Sequence, residues 1–212
     1  IRYLEARAAS VATISEDGKA LLVATRLGQA SQIHRVTMPA GARTQVTFEA
    51  EPVSVAAYIP GGAGAFFFMR DSGGDERFQY FRSEPSGETR LVTDGKSRHG
   101  ALVVSADGKR IAYSSNARNG KDMDVWVSDG RDPASAKLLA QAKGQWSPLE
   151  LSPDGKSLLI QEFVSIEDQR LHVVGGQSRR IPWIVPPHAH VDAVMAGQSI
   201  RGGDPQIAVG IT

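Results

Sequence analysis

Ser152-Pro153-Asp154-Gly155-Lys156 lies between two apolar runs, and the pattern recurs as Ser15-Glu16-Asp17-Gly18-Lys19 and Ser105-Ala106-Asp107-Gly108-Lys109. The glycines of the last two copies are 155 − 108 = 47 residues apart, and those of the first two 108 − 18 = 90, or two periods of 45. Pro60-Gly61-Gly62 falls where the intermediate copy belongs, so the chain carries four units. An Asp-Gly pair between β-rich runs marks a tight hairpin, because the left-handed backbone of the turn suits Gly and is tolerated by Asp.

The third unit shows the grammar on either side of the turn. Leu102-Val103-Val104 leads in, Arg110-Ile111-Ala112-Tyr113-Ser114 leads out, Asn116 to Lys121 forms a polar loop, and Asp124-Val125-Trp126-Val127 alternates polar with apolar. Corresponding third runs are Gln32-Ile33-His34-Arg35-Val36, Phe78-Gln79-Tyr80-Phe81 and Arg170-Leu171-His172-Val173-Val174. Fourth runs follow as Thr44-Gln45-Val46-Thr47, Thr89-Arg90-Leu91-Val92 and Ala136-Lys137-Leu138-Leu139. Four short strands in every 40 to 50 residues or so are the signature of propeller blades. The expected fold is all-β, a β-propeller of four-stranded antiparallel blades, with about four to five blades in 212 residues. The blades are expected near 10–48, 52–94, 99–140 and 145–182, followed by an irregular segment, 183–212, that can still belong to a last blade. Phe66-Phe67-Phe68, Trp126 and Trp146 are read as packing between blades.

Composition narrows the function classes. Lys+Arg of 24 against Asp+Glu of 23 leaves a net charge of +1, which gives no field to attract nucleic acid or an anionic membrane. The absence of cysteine excludes disulfides, thiolate catalysis and sulfur-bound metals but fits either cytoplasm or periplasm. No apolar run reaches the roughly 18 residues of a membrane helix, so a soluble chain is expected. Ile1-Arg2-Tyr3-Leu4-Glu5 lacks the regions of a signal peptide, and a start at Ile is consistent with a lost leader or tag.

The strings Ser152-Pro153-Asp154-Gly155-Lys156, Tyr113-Ser114-Ser115-Asn116 and Asp122-Met123-Asp124-Val125-Trp126 resemble the blade repeat of TolB-type propellers and of the prolyl oligopeptidase family. Met69-Arg70-Asp71-Ser72-Gly73-Gly74-Asp75-Glu76-Arg77-Phe78-Gln79 is similar to a loop in the acylaminoacyl-peptidase and dipeptidyl-aminopeptidase branch, and Leu91-Val92-Thr93-Asp94 agrees with it. The resemblance covers residues 1 to 182 and implies a propeller that screens access to a separate serine-hydrolase domain. The Ser-Asp-His triad of that domain is not recognisable here. Gly197-Gln198-Ser199-Ile200-Arg201 has Arg where a nucleophile elbow requires Gly, so no triad residue is carried over.

The resemblance also implies seven or eight blades, more than this chain supplies. Open blade edges and faces promote self-association, so a homodimer through them or a compact small propeller is expected, with Arg2 to Ala9 pairing into the last blade. The segment beyond Pro182 reads either as a truncated or frame-shifted tail or as a metal site. His188, His190 and Asp192 alternate along an extended run and so share a face, where they can hold a divalent ion with a position left for water. Three functions follow. One is a non-catalytic module of a serine-peptidase-like hydrolase, meeting a peptide or small-ester substrate only as part of that enzyme. Another is a stand-alone ester or lactone hydrolase using the metal, and the third is a TolB-like interaction scaffold.

Other polar groups are read as structural. His34 and His172 occupy equivalent third-strand positions, and His99 is expected to be solvated. Asp71, Asp75 and Glu76 form an acidic turn whose spacing matches no standard Ca loop. Arg98, Arg118 and Arg201 are candidates to face a central funnel.

Overall fold

A computed structural model describes residues 9–37, 41–53, 55–175 and the backbone of 190–194. Each unit of the repeat folds as one four-stranded sheet. The first contains β1 (Ala9–Ile14), β2 (Ala20–Thr25), β3 (Gln32–Thr37) and β4 (Arg43–Gln45). The second contains β5 (Val55–Tyr58), β6 (Phe66–Arg70), β7 (Gln79–Ser83) and β8 (Thr89–Leu91). β9 (His99–Val104), β10 (Ile111–Ser115), β11 (Asp124–Ser128) and β12 (Lys137–Ala140) form the third. β13 (Gln145–Leu151), β14 (Leu158–Phe163), β15 (Gln169–Val174) and β16 (His190–Val194) form the fourth. The architecture is the expected one: all-β, in propeller-type blades meandering in chain order. β16 departs from the rule, since it runs parallel to β15 while every other pairing between the strands is antiparallel.

The Ser-x-Asp-Gly-Lys copies make one turn three times. Gly18, Gly108 and Gly155 have φ of 69°, 66° and 66°, the left-handed region that glycine enters without a Cβ clash. Each Asp carboxylate closes the turn from inside. Asp154 Oδ1 accepts from Ser152 Oγ at 2.6 Å and Lys156 N at 3.0 Å, and the Ser152 hydroxyl accepts from Ser157 N at 2.9 Å. Asp17 and Asp107 repeat these contacts with Ser15 and Ser105.

A second device, at the opposite end of the blade, is carried by the first residue of the third strand. In the first sheet, buried Gln32 accepts from Thr47 Oγ1 at 2.8 Å and Glu49 N at 3.0 Å and donates to Glu49 O at 2.8 Å. In the second sheet, Gln79 accepts from Thr93 Oγ1 at 2.8 Å and Gly95 N at 3.0 Å. The third sheet uses Asp124, fully buried, which accepts from Ala142 N at 2.7 Å and Arg118 Nε at 2.7 Å. The chain leaving the fourth strand is thereby pinned to the start of the third, and buried polar groups are satisfied.

The described fold divides into two compact units, Ile1–Gly95 and Lys96–Thr212. In the first unit, Leu22, Ala24 and Ile33 of one sheet pack against Val53, Ala56, Phe66 and Phe68 at the next. Phe68 stacks on Phe81 at 5.4 Å, and the Arg70 guanidinium lies 4.3 Å above the Phe81 ring. In the second unit, Ala112, Val125, Leu139 and Ala140 pack against Trp146, Leu151, Leu158, Ile160 and Val174. Phe66, Phe68 and Trp146 thus occupy inter-blade cores. No helix among the described residues is long and apolar enough to cross a membrane.

Candidate functional site

At the end of the first sheet remote from its Asp-Gly turn, the chain opens into a cleft of about 400 Å³. One side is the β2–β3 connection, Leu27 to Ala30; the other is Phe48 to Ala50, after β4; Thr25, Gln32, His34 and Gln45 line the base. The rim is apolar and solvated, with Leu27 41% and Phe48 79% exposed. The base is polar, and Gln32 is committed to Thr47 and Glu49 as described, while Gln45 Nε2 donates to Thr47 O at 2.8 Å. His34 is buried, its Nδ1 3.3 Å from the Gln32 carbonyl. Glu49 is held by an ion pair with Arg70 at 2.7 Å. The backbone groups of Leu27 to Ala30 have no hydrogen-bond partner among the described residues. An open cleft with a polar base, an apolar rim and uncommitted backbone groups is suited to binding.

A second group lies in the fourth sheet. The His172 ring stacks on Trp146 with centroids 4.9 Å apart and planes at 8°, and its Nε2 is 3.0 Å from Glu162 Oε2. His172 Nδ1 and Trp146 Nε1 are buried and have no partner among the described residues. His34 and His172 are equivalent by register: they pair with Val23 and Ile160, which are 23 − 18 = 5 and 160 − 155 = 5 residues beyond their turn glycines.

Of the proposed metal ligands, His188 lies outside the described residues. His190 and Asp192 fall on β16, at register positions opposite Arg170 and His172. Among the described residues no three of His, Asp and Glu come together as a metal-binding group. Asp71, Asp75 and Glu76 form a self-closed turn, in which Asp71 Oδ2 accepts from Glu76 N at 3.3 Å and Asp75 Oδ1 from Arg77 N at 2.9 Å. Arg118 acts as a strut, donating to Asp122, Asp124 and the Ala142 carbonyl. Arg201 and most of the Arg2 to Ala9 run are outside the described residues. His99 corrects the expectation of solvation. It is 3% exposed, because it opposes Ser115 next to a register shift and lies 5.5 Å from the Tyr113 ring.

No family model matches the sequence, and no curated protein does. The likeness is in three dimensions. TolB from Acinetobacter baumannii superposes with a TM-score of 0.62 and 23% identity, over 78% of this chain and 40% of that one. A putative TolB from Agrobacterium tumefaciens gives 0.62 and 20%, over 76% of this chain and 59% of that one. The chain has the fold of a TolB-like β-propeller. A prolyl endopeptidase structure gives 0.61 and 12%, over 82% of this chain and 29% of the other, so the same blades recur in that peptidase. The chain spans 40% and 59% of the two TolB proteins it matches.

The cleft was missed in the sequence. Its polar base had one visible signal, the recurrence of Gln32 and Gln79 47 residues apart and of Thr47 and Thr93 46 apart. The rim had none, because an apolar residue such as Phe48 in a single sequence does not disclose whether a fold will cover it.

Proposed function

We propose that this chain is a non-catalytic propeller module that recognises an extended peptide segment at the loop end of its first blade. Within a hydrolase such a module screens access to a separate active site; otherwise it mediates protein interaction. The cleft between Leu27–Ala30 and Phe48–Ala50 carries the reading. Its unpaired backbone groups can bond an extended peptide, and Leu27 and Phe48 can grip an apolar side chain while Thr25 and His34 offer polar partners below. The likeness to TolB and to a prolyl endopeptidase supports a propeller module.

The test is fluorescence anisotropy of labelled, end-blocked hexapeptides with a central Leu or Phe, beside a cleavage assay of the same peptides. Saturable binding without cleavage is expected. Phe48→Ala should weaken binding roughly 10-fold, as loss of a well-buried aromatic anchor costs about 1–2 kcal/mol or more. Cleavage by a clean preparation, or binding indifferent to Phe48→Ala and Leu27→Ser together, would reject the reading.

A divalent-metal hydrolase is a second reading, favoured by the register of β16. Asp192 stands opposite His172, whose Nδ1 lacks a partner among the described residues and whose Nε2 is oriented by a carboxylate, the usual support of a ligating imidazole. Ester hydrolysis that survives both chelation and the double change His188→Ala, His190→Ala would eliminate it.

A further inference from the structure

The junction that Gln32 makes alone in the first sheet is made in the third by two side chains. Gln32 accepts from Glu49 N and donates to Glu49 O. In the third sheet Asp124 accepts from Ala142 N, and Arg118 supplies the donor, 2.9 Å from Ala142 O, with its Nε 2.7 Å from Asp124 Oδ2. Arg118 reaches this place from the connection between Ser115 and Asp124, which has eight residues, 116–123; the connection between Thr25 and Gln32 has six, 26–31. The longer loop lays a guanidinium over the start of its third strand. Among the described residues, no side chain of the shorter loop hydrogen-bonds to the base of the cleft. The cleft is thus open because of loop length within its own sheet.

The polar atoms left over at that base accept rather than donate. Gln45 Nε2 is spent on Thr47 O, so its uncommitted atom is Oε1. His34 Nδ1 faces the Gln32 carbonyl, a contact that requires the proton on Nδ1 and leaves Nε2 of the neutral ring an acceptor. The Thr25 hydroxyl has no partner among the described residues and can accept as well as donate. Glu49 is the one charged residue among the described lining, and it gives Oε2 to Arg70 while Oε1 stays unengaged. Above these groups stands the apolar rim of Leu27 and Phe48.

We propose that the cleft takes an arginine side chain of the bound peptide, its stem between Leu27 and Phe48 and its guanidinium on the base. An apolar stem carrying a head that only donates matches an apolar rim over acceptors. Leu or Phe in the same place fills the rim but covers the acceptors without bonding them, which costs affinity. Lysine has the stem, yet its ammonium is compact, whereas the planar fork of a guanidinium reaches acceptors spread across a base. The third sheet already uses this head group at the equivalent place, in Arg118. The inference rests on the peptide-binding reading of the cleft and narrows it.

Fluorescence anisotropy with one series of end-blocked hexapeptides tests it, the central residue being Arg, citrulline, norleucine or Leu. The Arg peptide should bind roughly 10-fold more tightly than the norleucine peptide, the gain expected of hydrogen bonds to a charged head, with citrulline between them. Thr25→Val removes one acceptor and should narrow the gap between Arg and norleucine. Glu49→Gln removes the charge and should bring Arg and citrulline together, with circular dichroism to show that both variants are folded. Equal binding across the series overturns the arginine assignment and leaves the peptide reading standing. So does a gap between Arg and norleucine that persists undiminished in the chain carrying both changes. Binding by no member of the series removes the peptide reading and the assignment with it.

Discussion

Gln32, Gln79 and Asp124 stand at one position of the repeat, and at each the side chain closes a buried backbone gap that sheet pairing leaves open. Asp124 is the most demanding, being a fully buried carboxylate held by Arg118 and by the Ala142 amide. Asp124→Ala orphans that buried amide and takes from Arg118 its nearest carboxylate, leaving it Asp122 and the Ala142 carbonyl, and should cost about 3–5 kcal/mol, read from urea unfolding. Thr47→Val removes a milder link, the hydroxyl that accepts from Ile33 N and donates to Gln32, and should cost about 1–3 kcal/mol. The turn aspartates make stability depend on acid. The Ser105 and Ser152 hydroxyls, followed by the Lys109 and Lys156 amides, lower the pKa of Asp107 and Asp154, and the Lys19 amide and then Ser15 lower that of Asp17, each from an ordinary 3.8. A carboxylate depressed on folding contributes stability that is complete above its unfolded pKa and lost as pH falls through the folded one. Unfolding free energy should therefore drop as the pH falls below the ordinary carboxylate value of 3.8, and less steeply in a Ser15→Ala, Ser105→Ala, Ser152→Ala chain.

Strands and turns were legible because their signal is local. An Asp-Gly turn announces itself in five residues, and the alternation in Asp124-Val125-Trp126-Val127 follows from the two-residue period of a strand. What stayed hidden depends on what covers what. The sequence shows His99 beside Arg98 in a polar stretch, whereas its burial comes from Tyr113, fourteen residues on and across a hairpin. The cleft likewise joins residues from 25 to 50 whose proximity arises only once β2, β3 and β4 are paired. The parallel direction of β16 is equally non-local, since Gly175-Gly176 and Pro186-Pro187 mark breaks in the chain without fixing the direction in which the next strand pairs. At this scale Gly155→Ala is the informative change. An added Cβ meets no atom within 4 Å, so its whole cost is the left-handed backbone at φ 66°, about 1–2 kcal/mol in thermal or urea unfolding.

Protection across the whole molecule should follow burial. β10 is buried at all five positions and central in its sheet, whereas β1 is an edge strand with no fully buried residue. Hydrogen exchange should be slowest for amides of Ile111–Ser115 and markedly faster for β1, and equal protection of the two strands would contradict this ordering. A longer timescale is governed by the repeated turn. Asp-Gly is the dipeptide most prone to slow isomerisation, in which the glycine nitrogen attacks the neighbouring carboxyl carbon to close a succinimide ring. In all three copies that nitrogen already donates to the turn serine's carbonyl, at 2.9, 2.8 and 2.8 Å for Gly18, Gly108 and Gly155, and the carboxylate is fixed by the serine hydroxyl. The motif that makes the blades is thus shielded by its own turn from chemical ageing, and at these three copies isoaspartate will accumulate only in chains that have come unfolded.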